Sequence, residues 1–156
     1  MQGLFANLLV AILAALLIVV AVGDVRARLI PNWLNLAIAL TAIPFWWLSG
    51  YALWPDIAIQ IGLAAGTFLF FATLFRFGMM GGGDVKLLAA LALWLPLASI
   101  VKLLVIMSIA GGVLALAMLV RKWRSNTEEK TEVPYGVAIA FAGMWLIGER
   151  FLYQFG

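Results

Sequence analysis

The sequence predicts an all-α fold: a polytopic membrane protein built as a six-helix transmembrane bundle with short loops. Three observations carry that prediction. Of the 156 residues, 66% are hydrophobic and only 11% are charged, whereas a soluble domain is about 45–50% apolar and about 25% charged. So few charges cannot cover a water-facing surface, and such an apolar chain is not a disordered one. The apolar residues fall in runs close to the roughly 20 residues that a bilayer crossing needs. The cations collect in alternate loops, as expected of a chain that threads a membrane.

The first span is expected over 4–22, an uncharged run of Leu, Ala, Val and Ile. A signal peptide would carry basic residues before its apolar run; here Met1-Gln2-Gly3 has none and the cations follow instead. The polar island Asp24–Asn32, DVRARLIPN, separates it from a second span over 33–51. Pro31 suits the first turn of that helix, where a missing N–H costs nothing. Pro44 falls inside the span and is expected to kink it unless neighbours supply the lost hydrogen bond. Trp46, Trp47, Tyr51 and Trp54 cluster near its far end, a pattern that reads as an aromatic belt. The third span covers 57–75, and a second polar island, Arg76–Lys86 (RFGMMGGGDVK), precedes a shorter fourth span over 85–100. The fifth span, 103–120, carries Gly111-Gly112 as a close-packing face. Arg121–Glu132 (RKWRSNTEEKTE) is a hydrophilic loop, and 133–148 is the sixth span, opening on Pro134-Tyr135-Gly136.

With six spans, the loops alternate sides. Arg26, Arg28, Arg76, Lys86, Arg121, Lys122, Arg124 and Lys130 fall on one face, and only Lys102 and Arg150 on the other. The positive-inside rule then predicts the eight-cation face to be cytoplasmic and both termini to lie on the opposite side. Omitting the short fourth span would put the Arg121–Lys130 loop outside, against that bias. The net charge of +3 is thus read as loop orientation and not as a nucleic-acid surface.

The chain has no Cys and no His. That excludes thiolate zinc sites, Ser–His and Cys–His nucleophile pairs and any His base, and no metal or cofactor is expected. Acid–base chemistry falls to Asp, Glu, Lys or Tyr. Among the seven acids, Glu128, Glu129 and Glu132 sit in the hydrophilic loop, and Asp56 and Glu149 on the other face. Asp24 and Asp84 alone stand at helix ends on the shared face. They could be loop carboxylates in interfacial ion pairs with Arg26, Arg28 and Lys86. They could also form a proton-sharing pair, one carboxylate activating a water and the other polarising a scissile carbonyl. The glycines before Asp84 would permit positive φ and close backbone approach by an extended substrate. A proton-coupled transporter or channel subunit, the reading from a different class, would place acids mid-span; none lies there.

Gly81, Gly83 and Asp84 match the GxGD signature of intramembrane aspartic proteases. Asp24-x-Arg26-x-x-x-Ile30-Pro31-Asn32 resembles the D-x-R-x-x-x-I-P-N element of the type IV prepilin peptidase family, Asp84-Val85-Lys86-Leu87 continues as that family often does, and Val133-Pro134-Tyr135-Gly136 resembles its last-span entrance. The resemblance covers nearly the whole chain. It implies a membrane aspartic endopeptidase that removes the short basic leader of pilin-like precursors at the cytoplasmic face of the inner membrane. Asp24 and Asp84 match the catalytic pair, and Gly81, Gly83, Lys86, Arg26, Pro31 and Asn32 match the surrounding motif positions. The partners implied are the precursor and the lipid bilayer; no residue pattern sets an oligomeric state. Larger members carry a cysteine-bearing insert and an N-methyltransferase activity. With a loop of about ten residues between spans one and two and no cysteine, this chain looks like the minimal peptidase-only form, similar to those serving tight-adherence (Flp) pili. Preflagellin peptidases are the close alternative.

Overall fold

A computed structural model describes residues 2–125 and 133–155. The described residues form helices and connecting turns, with no strand: α1 (Gln2–Ala27), α2 (Asn32–Leu48), α3 (Ala58–Arg76, entered through a single turn at Leu53–Ile57), α4 (Gly82–Ala92), α5 (Leu97–Ser125) and α6 (Tyr135–Phe155). The expected acids Glu128, Glu129 and Glu132 and the cation Lys130 lie outside the described residues. Three helical stretches, Gly3–Ala27, Leu53–Arg76 and Leu97–Arg124, are long and apolar enough to cross a membrane, and α2 is a shorter apolar helix. The architecture is an all-α membrane bundle.

Helix α1 buries Ala6, Val10, Leu13, Leu17 and Val20. This alternation of four and three residues puts one stripe of the helix against its neighbours. Asp24 is the next residue on that stripe, and it is buried with the rest. The helix does not stop at Val22 as the hydropathy suggested; it runs on through Ala27 and so carries Asp24 inside it. Arg28 follows in the left-handed region (φ 50°). Its N–H reaches the Asp24 carbonyl at 3.0 Å, which closes the helix in the way a left-handed residue commonly does.

Helix α4 is the centre of the bundle. It packs against α2, α3 and α6, while α1 packs on α2 and α6 and α5 on α6. Nearly all of its residues from Val85 to Ala92 are buried, Lys86 and Ala89 excepted. The expected fourth span of 85–100 is divided here: α4 ends at Ala92 after 11 residues, and Leu97–Ile100 opens α5. Pro96 explains the break, because a residue before proline is driven away from the helical region and proline itself has no N–H to donate. The carbonyls freed at the break do not go unpaired. Trp46 Nε1 donates to Leu93 O at 2.8 Å, and Gln60 Nε2 donates to Leu93 O at 3.1 Å and to Leu95 O at 3.3 Å. A chain can leave the helical path inside an apolar bundle only with such partners. Trp46 therefore belongs to the core, not to an aromatic belt; Trp47 and Trp54 remain exposed.

Other bounds shift as well. Helix α2 ends at Leu48 and continues through Pro44. Gly111 faces Tyr135 of α6, with 3.3 Å from a built Cβ to the ring, whereas Gly112 faces open space. Only the first of the two glycines makes the expected close-packing face. Helix α5 runs 14 residues past that crossing to Ser125, roughly 20 Å at 1.5 Å per residue. Its basic end, Arg121, Lys122 and Arg124, is thus helical and exposed, not a loop.

Candidate active site

One end of the bundle gathers the close of α1 and the first turns of α2, α4 and α6. Asp24 is 6% exposed, and its Oδ2 accepts the N–H of Val137, in the first turn of α6, at 3.1 Å. A Cβ on Gly136 would lie 2.7 Å from that same oxygen. Asp24 is therefore seated on the N-terminus of α6, 113 residues away in sequence.

Asp84 is held by its own helix. Gly81 is the N-cap of α4 (φ −72°, ψ 143°), which makes Asp84 the third helical residue, the position from which an acidic side chain reaches back to the cap N–H. Its carboxylate receives the Gly81 N–H, and a Cβ on Gly81 would sit 2.9 Å from its Oδ2. The glycines of the GxGD signature thus have internal reasons. Gly81 clears space for Asp84, and a Cβ on Gly83 would press on Ile30 at 3.1 Å. The expectation of positive φ is not met: the positive-φ glycines are Gly50 and Gly78. Gly82 and Gly83 already belong to α4, so this part of the polar island is the opening of a helix.

Ile30 links the two carboxylates. It is buried, it meets the backbone of Gly83 on one side, and its Cδ1 would be 2.9 Å from a Cβ on Gly136 on the other. The Ile30-Pro31-Asn32 element is therefore a wedge between the α4 and α6 N-termini. Pro31 is the N-cap of α2 (φ −63°, ψ 143°), one position earlier than expected, and its carbonyl accepts the Leu34 and Asn35 N–H groups. Asn32 Oδ1 accepts from Lys86 Nζ at 2.7 Å, tying α2 to α4. Arg26 is exposed on the last turn of α1, while Arg28 lies within electrostatic reach of Asp24.

Burial raises Asp84 to about 6, the negative charge of Asp24 pushes it the same way, and the Gly81 N–H opposes both. Ile30 packs between the Gly83 turn that carries Asp84 and the Gly136 turn on which Asp24 is seated, so the two carboxylates, 60 residues apart in sequence, flank one buried residue. Asp24 and Asp84 thus both stand on helices and not in loops.

Three participants were not among the site residues read from the sequence. Gly136 and Val137 hold Asp24. Asn35 is 5% exposed; its Nδ2 donates to Gly83 O at 3.3 Å, and its buried Oδ1 has no partner among the described residues. The available signal for Asn35 was a lone amide in an apolar run three residues after Asn32. For Gly136 it was the helix-opening Pro-Tyr-Gly. Val137 also lines an apolar cavity of about 580 Å³ between α5 and α6.

Comparison with known proteins gives a consistent picture. Residues 11–116, more than half of the chain, match the type IV leader peptidase family. The chain is 29% identical over 147 residues to a prepilin leader peptidase/N-methyltransferase of Xanthomonas campestris pv. campestris, covering 87% of this chain and 47% of that protein. It is 30% identical over 149 residues to the protein of the same name from Aeromonas salmonicida (92% and 48%), and 31% identical over 142 residues to that of Pectobacterium carotovorum subsp. carotovorum (86% and 48%). The chain spans about half the length of these curated relatives. No solved structure matches it.

Proposed function

Because the chain belongs to the type IV leader peptidase family, we propose that it is a membrane aspartic endopeptidase that removes the short basic leader from pilin-like precursors. The observation that carries this reading is the convergence of Asp24 and Asp84, from α1 and α4, into one electrostatic site at the basic end of the bundle. A pair of nearby carboxylates cannot easily both be ionised, so one keeps a proton. Asp84, which stays protonated to about pH 6, is the member that polarises the scissile carbonyl and then protonates the leaving amine. Asp24 is the member that takes a proton from the attacking water. The C–O bond forms first as the carbonyl opens to a tetrahedral intermediate, the C–N bond breaks as its nitrogen takes the proton from Asp84, and the proton taken from water by Asp24 leaves the pair with the one proton it began with. This chemistry uses no group that the chain lacks.

The cleavage face is proposed from charge. Arg26, Arg28, Arg76, Lys86, Arg121, Lys122 and Arg124 stand toward the aspartate end, and Lys102 pairs with Glu149 at 3.2 Å near the other. The positive-inside rule then makes the aspartate face cytoplasmic in an inner (plasma) membrane and puts both termini on the opposite side. The relatives' names join a second activity, N-methyltransferase, to the peptidase. We assign only the peptidase to this chain, whose link between α1 and α2 is four residues long, 28–31, and which has no cysteine.

The test is leader removal from a co-expressed pilin-like precursor, read by the new N-terminus. The wild-type chain is expected to process it, and Asp24→Asn and Asp84→Asn each to lower processing by a factor of about a thousand or more while still accumulating in the membrane. Normal processing by either variant removes the assignment.

A further inference from the structure

We infer that Gly136 is a positioning residue for Asp24: it leaves open the space on the first turn of α6 that the carboxylate fills. This rests on the catalytic reading of Asp24 given above.

The steric argument is specific. A Cβ at residue 136 would lie 2.7 Å from Asp24 Oδ2 and 2.8 Å from its Cγ. Rotating the carboxylate about its own axis moves the oxygens and leaves Cγ in place, so the clash persists. Relief requires either a different side-chain rotamer for a buried residue or a retreat of α6. A retreat is opposed one heptad further along, where α6 again meets α1: a Cβ on Gly143 would be 2.9 Å from Leu17 Cδ1. Residues 17 and 24 lie on the buried stripe of α1, and 143 and 136 are spaced by the same seven residues on α6. The two helices are antiparallel, so Leu17 faces Gly143 and Asp24 faces Gly136. Both contacts hold the helices close, but only one involves the reacting group.

The close approach also serves the hydrogen bond. Val137 N–H donates to Asp24 Oδ2 at 3.1 Å, which fixes one carboxylate oxygen on a helix rather than on a mobile loop. A methyl group at 136 separates the carboxylate from that donor. It displaces the reacting atom without removing it, and a displacement of about 1 Å can cost about a hundredfold in rate.

The experiment compares Gly136→Ala and Gly143→Ala in the full-length protein, using a synthetic peptide with a Lys/Arg-rich leader and an apolar sequence that the wild-type chain cleaves. Gly136→Ala is expected to lower kcat by about a hundredfold with KM within about threefold of wild type. Gly143→Ala, which meets the side-chain ends of Leu17 at 2.9 Å and Leu91 at 3.7 Å and neither aspartate, is expected to keep kcat within about threefold. Wild-type kcat in Gly136→Ala, or an equal fall in both variants, overturns the inference.

Thermal melting in detergent gives a second readout that does not need activity. Removing the carboxylate removes the two shortest contacts of a Cβ at 136 and leaves the one with the flexible end of Ile30 at 2.9 Å, so Asp24→Ala/Gly136→Ala is expected to melt above Gly136→Ala. If Gly136→Ala does not fold, recovery of a folded double variant supports the inference in the same way. Equal melting, or failure of both to fold, contradicts it. Cleavage by Asp24→Asn would instead remove the catalytic reading; an inactive Asp24→Asn beside a fully active Gly136→Ala removes the positioning role alone.

Discussion

Asp84 occupies the space where a side chain on Gly81 would otherwise be, and this governs what each glycine of the GGGD run can tolerate. Gly81→Ala sets a methyl 2.9 Å from the Asp84 carboxylate, whereas Gly82→Ala meets only the Phe75 ring at 3.2 Å, and that ring is exposed enough to swing away. Gly81→Ala is therefore expected to cost about 1–3 kcal/mol of stability and most of the activity, and Gly82→Ala to stay near wild type in both; melting and cleavage measured side by side check the contrast. The titration of Asp84 adds a pH dependence. A carboxyl raised to about 6 carries its proton below that pH and loses it above. If that proton is the one given to the leaving amine, the cleavage rate falls on the alkaline side, with an apparent pKa near 6 that belongs to the pair and not to either residue. A rate that stays flat from about pH 5 to about pH 9 would contradict the role. The aspartates stood out in the sequence as the acids at helix ends on one face, and the two signature glycines by their resemblance to the GxGD signature. What Gly136 does was not, because the space it leaves is filled by a residue 112 positions earlier and only the folded chain brings the two together.

The elements were readable where hydropathy is the deciding force and less so where side chains override it. The stripe from Ala6 to Val20 on α1 is a helix by any apolar measure, but its continuation through Asp24 depends on partners from α6. The division of the fourth expected span had a local signal, Pro96, yet an unbroken apolar run hid it. Pro44 is an equal signal in sequence and breaks nothing, since α2 continues through it. What separates the two is the supply of donors: Trp46 and Gln60 satisfy the carbonyls of the chain after α4, so ending that helix there is affordable. Gln60→Leu leaves Leu95 O without its donor and is expected to lower stability by about 1–3 kcal/mol. Lys102→Ala breaks an ion pair whose side chains are 59% and 34% exposed, and is expected to cost no more than about 1 kcal/mol. Unfolding of the two variants in detergent checks the order.

Across the whole molecule, the scarcity of charge becomes a map of orientation. Among the described residues the charged ones mark the two ends of the bundle, with the buried Asp24 and the half-buried Asp84 at the basic one. A natural chain without cysteine can report its own topology through single introduced thiols. With Arg76→Cys at the end of α3 and Trp54→Cys in the turn before it, a membrane-impermeant maleimide is expected to label the second from outside intact cells and the first only after permeabilisation. The reverse pattern would move the aspartates to the outer face. The claim on which the rest depends is that Asp24 and Asp84 work as one unit, and the most direct measurement is the rate of leader removal by the two single Asn variants and the double variant. Groups that act together are not additive, so the account predicts that each single variant loses nearly all activity and the double loses no more. Losses that multiply, or a single variant that cleaves at the wild-type rate, would contradict it.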